Sequence, residues 1–157
     1  LDTTYAVALD KNLEFNVNTG GQLSLDDLLN SEQSSITGPD KLSGFTSGSI
    51  SGDESWYFRG QLNYKKKLSN KLSLTPYVYG ATGVSYTLTP TATENRATAA
   101  KSIGLGLKMD GIDNYFFDKN IGAKVEYSKN WATGVLEDVS DVRLNKQHLL
   151  VNLAMNF

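Results

Sequence analysis

Apolar residues alternate with polar or small residues along most of this chain, and helical spacing is hard to find. In the last ten residues, HLLVNLAMNF, every second position from Leu149 to Phe157 is apolar. Six earlier segments alternate in the same way, at 4–9, 13–18, 56–64, 71–79, 102–109 and 121–128. Successive side chains of a strand point to opposite faces, so each segment predicts a strand with one apolar face. The chain is therefore predicted to be all-β, with about seven strands, or eight if 20–38 contains another.

The connections between the predicted strands alternate in length. The stretches at 10–12, 66–70 and 110–119 are short, whereas those at 20–54, 87–98 and 130–146 are long. Short turns at one end of the strands and long loops at the other are typical of outer-membrane barrels. The pattern predicts an antiparallel transmembrane β-barrel, and a soluble β-sandwich with one wet face per sheet is the alternative.

Three further features favour the membrane barrel over the sandwich. The polar faces carry charged and amide residues interleaved with glycine, which suits a water-filled lumen. Aromatic residues cluster at strand ends, at 56–58 and at Tyr64, as an interfacial girdle would. The chain also ends on Phe157, flush with its last apolar strand, where a soluble domain would usually carry a polar tail.

Composition excludes several classes of function. The net charge of −2 carries no field that would attract nucleic acid. Without cysteine, and with His148 as the single histidine, the chain has no thiolate nucleophile and no histidine pair for zinc. The acidic residues of the 20–54 loop lack the dense spacing of a calcium site. We therefore expect no enzyme activity, no bound metal and no cofactor.

Seven strands cannot close into a barrel, because bacterial single-chain barrels have even strand numbers from eight upward. The opening sequence, LDTTYAVALD, begins in the middle of a strand pattern. Residues 1–157 are therefore interpreted as the C-terminal segment of a larger barrel domain, with the remaining strands elsewhere. An eight-stranded barrel and a pair of half-barrels formed with a second chain remain as alternatives.

Short motifs follow one another in an order that resembles a known family. They are LLNSEQSSITG at 28–38, LSGF at 42–45, GSISGD at 48–53, WYFRGQL at 56–62, PYVYGATG at 76–83 and SIGLGL at 102–107. Their order over roughly residues 20–157 resembles the C-terminal part of the β-barrel of two-partner secretion transporters. These are the TpsB-type haemolysin and filamentous-haemagglutinin exporters, whose superfamily also contains the barrel-assembly insertases.

The resemblance implies a bacterial outer-membrane protein that exports a large, unfolded partner polypeptide through a porin-like pore. It implies that residues 20–54 fold into the barrel, and that the last strand, with Leu153, Met155 and Phe157, is the β-signal read by the assembly machinery. The expected partners are outer-membrane lipid, the secreted polypeptide, that machinery and further strands, with no nucleic acid. The alternatives are an insertase relative and a small passive barrel or adhesin.

The family's loop tip reads Arg-Gly-Phe/Tyr, and its arginine pairs with an aspartate on a neighbouring strand. In this chain Ser43 stands at the arginine position and Ala81 at the aspartate position. The resemblance predicts a contact region between the tip and the barrel wall, formed by Ser43, Gly44, Phe45, Arg59, Tyr79 and Ala81. Losing both charges costs less than losing one, because an isolated charge in a narrow lumen is unfavourable.

Two interpretations follow from the missing pair of charges. In the first, packing of Phe45 and backbone hydrogen bonds hold the tip in place. In the second, the loop belongs to a divergent branch that does not lock in the family manner. Arg59 is the remaining basic candidate for a contact with the loop, for example with Asp53 or Glu54.

Overall fold

The computed structural model describes residues 1–68, 72–90, 96–113, 120–135 and 142–155. These ranges form ten β-strands and contain no helix long and apolar enough to cross a membrane. The strands are β1 (Asp2–Ala8), β2 (Leu13–Gln22), β3 (Ser34–Ser35), β4 (Ser51–Gly52), β5 (Glu54–Tyr64), β6 (Lys66–Lys67), β7 (Ser73–Tyr86), β8 (Ala97–Asp113), β9 (Asn120–Val135) and β10 (Val142–Met155).

Seven long strands form one antiparallel sheet in the order β1-β2-β5-β7-β8-β9-β10, and β6 also pairs with β7. Apart from the short β3, β4 and β6, each strand lies beside the one that precedes it in the chain, as in an up-and-down barrel wall. The all-β antiparallel prediction is confirmed, and the described part of each of the seven alternating segments lies mainly in one long strand. Within the described ranges, β1 and β10 are each paired along one side only.

The predicted long connection at 130–146 is wrong, because β9 and β10 pair through most of it, with Asn130 opposite Lys146. The alternation fades here for a physical reason. One face of this part of β9 carries Asn130, Ala132 and Gly134, while the other mixes apolar residues with Lys129 and Thr133. Neither face is uniformly apolar, so the period-two signal disappears although the strand continues.

One side of the sheet, here called the outer face, is covered with exposed apolar side chains. The strand register places one of its rows across six neighbouring strands without interruption. The row consists of Phe15, Leu62, Val78, Leu105, Tyr127 and Leu149. So extensive an apolar surface marks an interface with protein or membrane rather than with water.

The other side, here called the inner face, carries the core together with most buried polar groups. Residues 23–53 between β2 and β5, here called the in-folded loop, pack against it. Ile36 and Leu42 of the loop are completely buried, and they cluster with Tyr57, Tyr77 and Tyr79 of the sheet. The hydrophobic core therefore lies between the loop and the sheet.

Candidate functional site

The in-folded loop is shaped by its own short hairpin. β3 and β4 pair through Ser34 with Gly52 and Ser35 with Ser51, which brings the two arms of the loop together. Between them the Phe45 N–H donates to the Leu42 carbonyl at 3.2 Å, forming a turn. Gly48, with φ of +77°, occupies a backbone conformation that other residues rarely adopt. These local bonds present residues 42–45 as the tip of the loop.

Ser43 lies at the centre of the contact between the tip and the inner face. Its hydroxyl accepts a hydrogen bond from Arg59 Nη1 at 2.6 Å and donates one to Glu126 Oε1. Arg59 belongs to β5 and Glu126 to β9, so one hydroxyl connects two strands separated by β7 and β8. All three side chains are at most 3 % exposed.

The buried Glu126 carboxylate is compensated by several donors. Tyr77 donates its hydroxyl to Oε2 at 2.6 Å, and Lys124 Nζ lies 3.1 Å from the same oxygen. Arg59 Nη2 lies 3.5 Å from Oε2, so two cations and two hydroxyls surround this one acid. A buried charge is tolerated only with such pairing and hydrogen bonding.

Arg59 also connects the loop to its own strand. Its Nη1 donates to the Lys41 carbonyl at 3.0 Å, and its Nη2 donates to Gln61 Oε1 at 2.8 Å. The guanidinium lies 3.7 Å from the centroid of the Tyr79 ring, within cation–π range. Because guanidinium presents several donors in one plane, a single side chain binds the loop backbone, Ser43 and the strand at once.

A second set of bonds holds the backbone of the tip. Asn130 Nδ2 donates to the Gly44 carbonyl at 2.6 Å, and Asn130 Oδ1 accepts from the Ser102 hydroxyl at 2.6 Å. Tyr79 and Ser102 are joined through their hydroxyls at 2.9 Å. A side chain at position 44 would collide with the Asn130 amide, so glycine is required for this close approach.

Two glycines of β8 make room for the tyrosines of this network. Gly104 lies opposite Tyr79 in the strand register, and Gly106 lies opposite Tyr77. A Cβ added at either glycine would collide with the facing tyrosine ring. The small residues of the SIGLGL motif therefore let both rings lie across β8, where their hydroxyls reach Ser102 and Glu126.

The base of the loop is held by hydrogen bonds to a single carboxylate. Asp53, 2 % exposed, accepts hydrogen bonds from the Leu88 N–H at 2.8 Å, the Leu28 N–H at 3.0 Å and Gln33 Nε2 at 3.2 Å. The bond from Leu88 is the main reason that the pKa of Asp53 lies below its ordinary value of 3.8. The bonds from Leu28 and Gln33 lower this pKa further, against the opposing effect of burial. Asp53 thus joins both arms of the loop to the segment after β7.

The structure brings together most of the residues predicted at the tip contact. Ser43, Gly44, Arg59 and Tyr79 belong to the bonded network described above. Phe45 is partly buried and packs against the core cluster. Ala81 is buried on the inner face directly opposite Arg59 in the register, and with a methyl side chain it offers no polar group.

Two details of the sequence analysis are corrected by this geometry. Arg59 reaches the loop at Lys41 and Ser43 instead of Asp53 or Glu54, because Asp53 is bonded to Leu88 and Leu28 at the base. The tip is also held by more than Phe45 and backbone bonds, since charged side chains of the sheet bind Ser43. The loop therefore has a polar attachment to the sheet, although neither Ser43 nor Ala81 is charged.

The sequence analysis missed the importance of Glu126 and Asn130. Period two places Glu126 on the polar face of the predicted strand at 121–128, among the charged residues expected to line a lumen. Nothing local indicates its partner 83 positions away. Asn130 was assigned to a long connection, so its contact with Gly44 had no basis in the pattern.

The three residues predicted as the β-signal are not tested by this geometry. Leu153 and Met155 lie in β10, and Phe157 lies outside the described residues. No group of three or more His, Cys, Asp or Glu side chains lies together within the described ranges. The chemistry of the site is accordingly that of hydrogen bonding and charge pairing, which fixes a loop against a wall.

Comparison with family models gives one match over residues 1–109, to the haemolysin secretion/activation protein family ShlB/FhaC/HecB. The match covers the in-folded loop and the strands up to Met109, near the end of β8, so Glu126 and Asn130 lie beyond it. No curated protein and no solved structure matches the chain. Since the matched region exceeds half of the 157 residues, the chain belongs to the ShlB/FhaC/HecB family of haemolysin secretion/activation proteins.

Proposed function

We propose that this chain is the C-terminal segment of an outer-membrane β-barrel that exports a large partner polypeptide by two-partner secretion. Membership of the haemolysin secretion/activation family supports export. The observation that carries the proposal is the seating of Ser43 between Arg59 and Glu126 on the inner face. In a closed barrel, a loop packed against the inner face narrows the interior, so its position would control what passes through.

The outer apolar face would lie against outer-membrane lipid, and further strands would pair with the free edges of β1 and β10. The last strand, with Leu153, Met155 and Phe157, would be recognised by the barrel-assembly machinery. The protein would catalyse no bond-making step. Its work would be to bind the partner polypeptide and to provide a polar path along the inner face, on which hydroxyl, amide and charged side chains are concentrated.

The test replaces residues 38–48 with a shorter Gly-Ser linker, which removes the tip but retains β3, β4 and Asp53. In cells, the variant barrel is expected to insert into the outer membrane, while secretion of the partner is lost. Insertion is measured by heat-modifiable migration on gels and secretion by the amount of partner in the medium. Replacement of Lys65, Lys66 and Lys67 by glutamine is the control, because these side chains are exposed at the opposite end of β5.

Normal secretion by the variant that lacks the tip would contradict the proposal. Depletion of other outer-membrane proteins with secretion intact would also contradict it, and would indicate an assembly role instead. Failure of the control variant to secrete would show that secretion is sensitive to changes far from the tip. The loss of secretion in the variant without the tip would then no longer support the proposal.

A further inference from the structure

The outer face contains a groove of about 560 Å³ in its middle rows. Its floor is formed by Gly60 and Gly80, which lie opposite each other on β5 and β7. Its walls are apolar and are formed by Phe15, Leu62, Val78, Ile103, Leu105 and Tyr127. A Cβ added at Gly80 would meet no atom within 4 Å, so the space above this glycine is open.

Two lysines stand at one side of this groove. Lys129 lines the groove and lies opposite Ile103, while Lys101 lies opposite Trp131. Both lysines are exposed on the outer face, where they are diagonal neighbours across β8 and β9. Diagonal neighbours in a sheet are roughly 7–8 Å apart, so two flexible ammonium groups can reach the same anion.

These lysines are exceptional on their surface. At the outward positions of the described parts of β5, β7, β8 and β9, the charged residues are these two and Glu54 at the start of β5. A lysine on the lipid face of a barrel is unfavourable by about 2–4 kcal/mol at the bilayer midplane, and by much less near the headgroups. Two such lysines side by side form a positive patch that an anionic headgroup would neutralise.

Aromatic neighbours place the lysines near a membrane boundary. Lys101 shares its row with Phe58 and Trp131, and the Lys129 ammonium lies 5.4 Å from the centroid of the Trp131 ring. Aromatic residues of this kind lie at the headgroup level of membrane proteins. The row is on the half of β5 that joins the long in-folded loop, and long loops of outer-membrane barrels lie on the extracellular side.

We propose that the groove and the two lysines bind one phosphate-bearing lipid of the outer leaflet. One acyl chain lies over Gly60 and Gly80, and a phosphate lies between Lys101 and Lys129. The proposal depends on the proposed function, because it takes the outer face to be in contact with lipid. A second copy of the chain would bring the same apolar rows and lysines, so charge complementarity favours the anionic lipid.

The experiment uses the complete transporter purified in detergent and titrated with lipid A that carries its phosphates. Bound lipid is counted by native mass spectrometry, and the same lipid A without phosphates is the matched ligand. We expect one lipid to bind, with a preference for the phosphorylated form. Lys101→Gln and Lys129→Gln should each weaken binding about fivefold, the effect expected for one lysine near an anionic headgroup. Lys66→Gln is the control and should bind as the parent protein does.

Gly80→Leu provides an independent test, because a Cβ at this position meets no atom within 4 Å and the rest of the side chain would occupy the groove. It should reduce binding of both lipid forms and leave partner secretion unchanged. Equal binding of both forms by the parent protein would overturn the phosphate assignment. Loss of a dimer on Gly80→Leu would overturn the lipid in favour of a second copy. Since lipid binding and secretion are measured separately, either proposal can fail while the other stands.

Discussion

The two ends of the in-folded loop are held by different chemistry. At the base, Asp53 binds backbone N–H groups of Leu88 and Leu28, which any residue except proline would supply at those positions. At the tip, Ser43 and Gly44 depend on specific side chains of β5 and β9, namely Arg59, Glu126 and Asn130. The base is therefore tolerant of change among its partners, whereas the tip is sensitive to it.

The largest expected effect concerns the cation at the tip. Arg59→Met removes the guanidinium bonds and leaves Glu126 with less compensation in a buried site. Breaking a buried pair on one side typically costs about 3–5 kcal/mol in the free energy of unfolding. Urea unfolding in detergent measures this loss, and hydrogen exchange over residues 41–46 should show a released tip.

Lys124→Met is the matched control for that change, because Lys124 pairs with the same carboxylate but its side chain is 18 % exposed. It should be clearly less destabilising than Arg59→Met. Adding Glu126→Gln to Arg59→Met should recover part of the stability, since no unpaired acid remains. Equal losses for the two single variants would show that the tip does not depend on Arg59 in particular.

A smaller loss is expected at the hydroxyl between the two charges. Ser43→Ala removes one bond from a guanidinium and one to a carboxylate, and hydrogen bonds to charged groups contribute about 1.5–3 kcal/mol. The same unfolding measurement applies, with Ser47→Ala as the control because Ser47 is exposed in the same loop. If both serine variants unfold alike, the tip is held by its backbone alone.

The base should differ from the tip in its response to acid. Because the folded pKa of Asp53 lies below its ordinary value of 3.8, its contribution to stability is fully present well above pH 3.8. The contribution is lost as the pH falls through the lower folded pKa. Asp53→Asn, which removes the charge, should cost about 1–2 kcal/mol at neutral pH and abolish this pH dependence.

Hydrogen exchange of peptides containing Leu28 and Leu88 measures that difference between parent and variant at each pH. The variant's profile, compared at the same pH, also corrects for the intrinsic acid dependence of exchange. An equally steep loss of protection in the parent and in Asp53→Asn would assign the acid response to other groups.

The smallest effect is expected at Phe45, which is only partly buried. Phe45→Ala should cost about 1 kcal/mol or less, since little apolar area is removed from its surroundings. Leu42→Ala, at a completely buried position of the same tip, should cost about 2–5 kcal/mol. If Phe45→Ala were the more destabilising of the two in urea, Phe45 would be the hydrophobic anchor of the tip.

The sequence predicts the sheet much better than it predicts the tip contact. Alternation of residues such as Val125 and Glu126 assigns strands and faces, because period two is a local property of the chain. Strand order also follows, because strands that are consecutive in the chain usually lie side by side. The partner of Ser43 on β9 cannot be predicted from the sequence pattern, because it depends on how close the fold brings β9 to β5. The resemblance indicates that the family's two charges are missing at Ser43 and Ala81. It does not locate the charged residues of the sheet that bind the tip in their place.

The tip contacts also constrain the order of assembly. Ser43 and Glu126 are 83 residues apart in sequence, and Gly44 and Asn130 are 86 apart. Contacts of such high sequence separation form late, since the loop-closure entropy must first be overcome by pairing of the intervening strands. The bonds from the tip to Glu126 and Asn130 cannot form until β9 has joined the sheet, although the loop itself lies near the start of the segment. Complete docking of the loop therefore depends on the later strands, and an early part of the chain reaches its final position only after those strands have paired.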